Sequence, residues 1–170
     1  MKKILVYLIS LIILLALNVA FPMIYRNIAP NFLFLLVIFY AFRKDNPDFL
    51  WIAFFAGLLL DIFGGNFFGS FTLGFLLISE LVNFTTRTFF TADPSIEFMV
   101  LIVSGSYLAL AGFLFAFNFL AFRLHWVDYQ ISPRIFAGKI WLDLLLNLVF
   151  AAPVYYLTVL NDRILLKGQR

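Results

Sequence analysis

Long apolar runs separated by short polar breaks dominate this chain. They predict helices over about 4–21, 28–42, 49–64, 69–86, 96–122 and 135–160. A membrane-spanning helix needs roughly 20 mostly apolar residues, with about 17–25 usual. Four of the runs meet or exceed that length. The second and third fall short, which predicts that they extend into their flanks or lie where the bilayer is thin. The breaks carry turn chemistry: Pro22 and Pro30 bracket the first, Pro47 lies in RKDNPD, Gly64-Gly65-Asn66 form the third and Pro94 lies in TADPS. The last break, RLHWVDYQISPR, is the longest. With no repeat and no low-complexity segment, the pattern predicts one all-α, polytopic transmembrane domain over 1–170, with about six helices.

Lys2 and Lys3 ahead of the first run also suit a secretory signal. The text that follows, ALNVAFPMIY, offers no clean small-x-small cleavage site, and the run is long for a signal core. A retained first helix is the expectation.

Composition explains what those runs face. The chain is 64% hydrophobic and only 12% charged, about half the roughly 25% charged share of a soluble domain. A 150-residue globule buries only about 70% of its chain's surface, so apolar surface on this scale needs lipid as solvent. The absence of cysteine removes disulfides, iron–sulfur clusters and thiol nucleophiles.

The net charge of +3 comes from Lys and Arg scattered along the chain, with no patch that would hold nucleic acid. Their distribution reads as topology instead. With the N-terminus inside, Lys2, Lys3, Arg43, Lys44, Arg87, Arg163, Lys167 and Arg170 fall on the inner side, against Arg26, Arg123, Arg134 and Lys139 toward the outer. That bias follows the positive-inside rule and predicts both termini in the cytoplasm.

Polar residues inside apolar runs carry the chemistry. Asp61, in GLLLDIFGGNFFGS, shares a helix face with Gly57 and with Gly64 or Gly65. Glycine on such a face lets another backbone come close, which predicts a packing or partner notch of Gly57, Asp61, Gly64, Gly65 and Gly69. The other reading makes Asp61 a solvated cap on the glycine-rich turn. Lys139, Asp143 and Asn147, spaced by four, form a polar face on the last helix, with Lys139 and Asp143 placed to pair. Such a face must meet protein or a cavity; it serves either as glue between helices or as a polar pocket. Glu80, Asn83 and Arg87 point toward the inner side of the fourth helix, and Gly105, Ala109, Gly112 and Ala116 form a small-residue stripe on the fifth, the usual surface for helix packing.

No catalytic, metal or cofactor constellation accompanies them. The single histidine, His125, sits in the outer break without an HExxH-type partner, and no phosphate loop or dinucleotide fingerprint is present. A non-enzymatic protein without cofactor is the expectation.

Pro30-Asn31 opening a Leu/Phe-rich helix, then AGLLLDIFGGNFFGSFTLGF, then a last helix with Lys139 and LLLN ending at Asn147, resembles the MreD family of bacterial rod shape-determining membrane proteins. Gly57, Asp61, Gly65 and Gly69 occupy the places of the family's central segment, and Asp143 departs from it, standing where an uncharged residue is expected. The resemblance implies a membrane scaffold of the cell-elongation (rod) complex in the cytoplasmic membrane, helping to position lateral peptidoglycan synthesis. It implies MreC, a bitopic protein, as partner, with MreB, RodA and its transpeptidase in the same assembly. It also implies a fold similar to the S components of energy-coupling-factor transporters. The alternative is a small-solute or vitamin-binding subunit of that kind, with Asp61, Lys139, Asp143 and Asn147 lining an outward pocket.

Overall fold

The computed structural model describes residues 2–25, 30–43, 47–63, 68–89, 96–126 and 132–167. They form helices α1 (Lys2–Tyr25), α2 (Phe32–Ala41), α3 (Phe49–Phe63), α4 (Ser70–Phe89), α5 (Ile96–Arg123) and α6 (Pro133–Lys167), with no strand among the described residues. Among the described residues, three helices are long and apolar enough to cross a membrane, over Lys3–Met23, Glu97–Arg123 and Phe136–Leu165; α2 and α3 are shorter apolar helices.

The packing is a ring with a post. α1 packs on α3, α3 on α4, α4 on α5, α5 on α6 and α6 on α1, and all five touch α2. Every residue of α2 is buried. Its sequence, FLFLLVIFYA, has no polar face because it has no exposed face. Ten residues rise about 15 Å, half of the roughly 30 Å hydrocarbon core. Enclosure removes the mismatch: a helix that never meets lipid need not match lipid thickness. Edge-on aromatic contacts lock the post, with Phe32 against Phe150 at 5.1 Å, Tyr40 against Tyr7 at 5.2 Å and Phe34 against Tyr107 at 5.8 Å between ring centroids.

α1 and α6 run furthest past their predicted ends. α1 continues through Pro22 to Tyr25, beyond the expected stop near residue 21. α6 continues past residue 160 because its polar tail bonds back to the bundle. Asn161 Nδ2 donates to Ser10 Oγ at 2.9 Å and to the Tyr40 hydroxyl at 3.0 Å, and Arg43 pairs with Asp162.

Candidate functional site

A short buried helix in a membrane has a physical problem at each end. Its first N–H and last C=O groups lack intrahelical partners, and lipid supplies none. Asparagines resolve it here. The Phe32 amide donates to Asn18 Oδ1 of α1 at 2.7 Å, the Asn31 amide to Asn147 Oδ1 of α6 at 2.9 Å, and the Phe34 amide to Asn31 Oδ1 at 3.0 Å. At the other end Asn83 Nδ2 of α4 donates to the Ala41 carbonyl at 3.0 Å. α1 and α4 are thus each pinned to α2 through one amide side chain, and α6 through Asn147 and Asn161.

The glycine-rich segment makes a second joint. The carbonyl of Gly69 accepts the first bond of α4 from the Leu73 amide at 2.9 Å, so Gly69 holds the N-cap position without a side chain to cap with. Its φ of +95° is one that only glycine adopts easily. Asp61, on the preceding helix, supplies the missing acceptor. Its carboxylate takes the Phe71 amide at 2.8 Å, the Thr72 amide at 3.0 Å, the Thr72 hydroxyl at 2.6 Å and, more weakly, the Ser70 hydroxyl at 3.5 Å. The negative charge also lies at the positive end of the α4 dipole. Asp61 is 4% exposed. Gly57, one turn earlier, lets α4 come that close: a Cβ there would lie 2.5 Å from Thr72 Cα and 2.9 Å from the Phe71 carbonyl oxygen. The notch is therefore filled by the chain's own α4, and Asp61 is a helix cap that is buried rather than solvated. Gly64 and Gly65 lie outside the described residues.

The polar face of α6 divides. Asn147 is fully buried; besides accepting from Asn31 it donates to the Asp143 carbonyl at 2.7 Å. The Asp143 carboxylate lies near the Tyr107 hydroxyl of α5, and its Oδ1 is buried with no hydrogen-bond partner among the described residues. Lys139 is exposed and within electrostatic reach of Asp143, but makes no ion pair with a described residue. A long ammonium side chain on an exposed face extends to the interface in preference to closing on a neighbour. The outward pocket of Asp61, Lys139, Asp143 and Asn147 is not assembled, because Asp61 is committed to α4 and Asn147 to α2.

The other patterned residues separate as well. Asn83 turns inward to α2, whereas Glu80 and Arg87 are exposed. His125 ends α5: its φ is 57°, its amide donates to the Phe122 carbonyl at 3.1 Å, and the Trp126 amide reaches the Ala121 carbonyl at 2.8 Å. That bond pair is a Schellman motif with His125 in the left-handed position. Close approach of α4 and α5 uses Gly74, whose added Cβ would meet Leu110 Cδ1 at 2.8 Å. The small-residue stripe of α5 is not used for it. Gly105, Ala109, Gly112 and Ala116 are all exposed, and no heavy atom lies within 4 Å of a Cβ built at Gly105 or Gly112. Sequence reading passed over Asn18, Asn161, Tyr40 and Gly74 as joints. A lone amide in an apolar run was the available signal for the asparagines.

The family model described as rod shape-determining protein MreD matches residues 1–160 of the 170-residue chain. No curated protein and no solved structure matches it significantly.

Proposed function

The chain belongs to the MreD family of rod shape-determining membrane proteins, and from that membership we propose that it is a non-enzymatic scaffold of the bacterial cell-elongation complex that binds MreC. The family match over residues 1–160 carries this reading. In it, MreB, RodA and the transpeptidase of RodA join the same assembly, and the scaffold helps to position lateral peptidoglycan synthesis. The protein lies in the cytoplasmic membrane with both termini inside, as the Lys/Arg asymmetry favours.

The geometry supports a scaffold in two ways. Most of the buried side chains with polar hydrogen-bonding groups described above are committed to joints between helices, which makes a rigid body. The uncovered stripe on α5 then gives a place for a partner helix. Leucine and phenylalanine meet lipid well, whereas small residues at i, i+4, i+7 and i+11 offer lipid little and let a second helix approach closely. The single membrane helix of MreC is the proposed occupant.

Co-purification with MreC tests this. Gly105→Leu/Gly112→Leu should leave the fold intact, since both sites are open within the chain, and reduce MreC capture severalfold. Undiminished capture by a folded double variant excludes α5 as the docking face; absence of capture by the unaltered protein excludes the scaffold reading itself.

A further inference from the structure

One end of the bundle carries two ion pairs that neutralise their own cations: Lys3 with Asp48 and Arg43 with Asp162. Arg163, the next residue of α6, is exposed and makes no ion pair with a described residue. It ends an open groove of about 480 Å³ lined by Pro153, Tyr156, Leu157, Val159, Leu160 and Arg163. Most of these recur at helical spacing on the outward side of α6, while Val154, Thr158 and Asn161 are buried on the side toward the bundle.

The dimensions and the charge point to one kind of occupant. From Pro153 to Arg163 the helix rises about 15 Å, half of the roughly 30 Å hydrocarbon core. The groove is one leaflet deep, apolar along its length and cationic at its membrane-surface end. A partner's spanning helix would seek contact over the whole core, about twice the length that this groove offers. A phospholipid has the matching shape: an apolar chain one leaflet long below an anionic phosphate. We infer that this groove seats an acyl chain of an anionic phospholipid, with the Arg163 guanidinium holding its headgroup. Guanidinium–phosphate pairing is bidentate and charge-assisted.

Lipid binding to the purified full chain in neutral detergent, read by native mass spectrometry, tests the inference. Phosphatidylglycerol and phosphatidylethanolamine with identical acyl chains are the probes. One basic residue near the surface supplies a preference for the anionic lipid of about fivefold. Arg163→Gln should abolish the preference and leave phosphatidylethanolamine binding unchanged, and Arg163→Lys should retain most of it. Leu160→Trp should weaken both lipids by filling the groove, and Arg123→Gln, at the other end of the bundle, should change neither. Glycerophosphoglycerol, the headgroup without chains, should not compete. Equal binding of the two lipids, a preference that survives Arg163→Gln, competition by the headgroup alone, or displacement of lipid by the MreC transmembrane peptide would each overturn it.

Discussion

The side-chain oxygen of Asn147 accepts a hydrogen bond from the Asn31 backbone amide at 2.9 Å, joining residues 116 apart in the chain. One side-chain amide on the last helix thereby holds the start of the central one. Polar contacts between membrane helices average only about 0.6 kcal/mol, because the separated side chains find other partners. This bond differs in serving a backbone N–H at the start of a fully buried helix. Asn147→Leu should therefore cost about 1–3 kcal/mol, the penalty of an unmet buried donor. Reversible unfolding in detergent measures it, and a loss below a few tenths of a kcal/mol would contradict the pinning role.

Glycines at different places should respond to alanine with opposite signs. Gly57→Ala puts a methyl 2.5 Å from the Thr72 backbone, which cannot yield without moving α4. Overpacking of this kind costs typically about 1–3 kcal/mol. Gly105→Ala meets open space in mid-helix and should stabilise the isolated chain by about 0.5–1 kcal/mol. Melting curves of the two variants side by side decide it; the same sign for both would show that the α3–α4 contact is looser than described.

Asp61 accepts bonds from two amides and two hydroxyls and donates none. Asp61→Asn keeps one acceptor oxygen but turns an NH2 group toward donors, so it should be destabilising, though less than Asp61→Leu. For leucine the loss should be about 2–3 kcal/mol, in the range for hydrogen bonds to a charged group. Amide hydrogen exchange at Phe71 and Thr72 gives a local readout. Unchanged protection there in Asp61→Leu would remove the capping role.

His125 occupies the left-handed position at the end of α5. A side chain there costs about 1–2 kcal/mol that glycine avoids. His125→Gly should leave the protein as stable as before or more so, and His125→Val should weaken it. Thermal unfolding of the pair checks the sign.

How far these features were legible in sequence depends on how far each partner lies along the chain. Gly57 and Asp61 sit one turn apart, so periodicity put them on one face, and the turn at Gly69 was visible as glycine. That α4 itself fills the notch was not visible, because a glycine face reads the same whether its occupant is the next helix or another protein. Asn18 looked like an isolated polar residue, Asn83 like one of a polar face with Glu80 and Arg87, and Asn161 like another isolated one. Their partners lie 14, 42 and up to 151 residues away, and helical period carries no information across such distances. The short second run was visible as short, but its burial on every side follows from the ring of five helices, which no local pattern encodes. Lys139 and Asp143 show the reverse error: spacing by four permits an ion pair, while Tyr107 on another helix supplies Asp143 with a different neighbour.

The proposed scaffold receives the membrane helix of MreC on the uncovered face of α5. Site-specific photocrosslinking in growing rod-shaped cells tests it most directly, with the photoreactive residue placed at Ala109 within the stripe and, separately, at Ile13 on an exposed stretch of α1. A crosslink to MreC should form from position 109 and none from position 13. Crosslinking to MreC from position 13 with none from position 109 would contradict it.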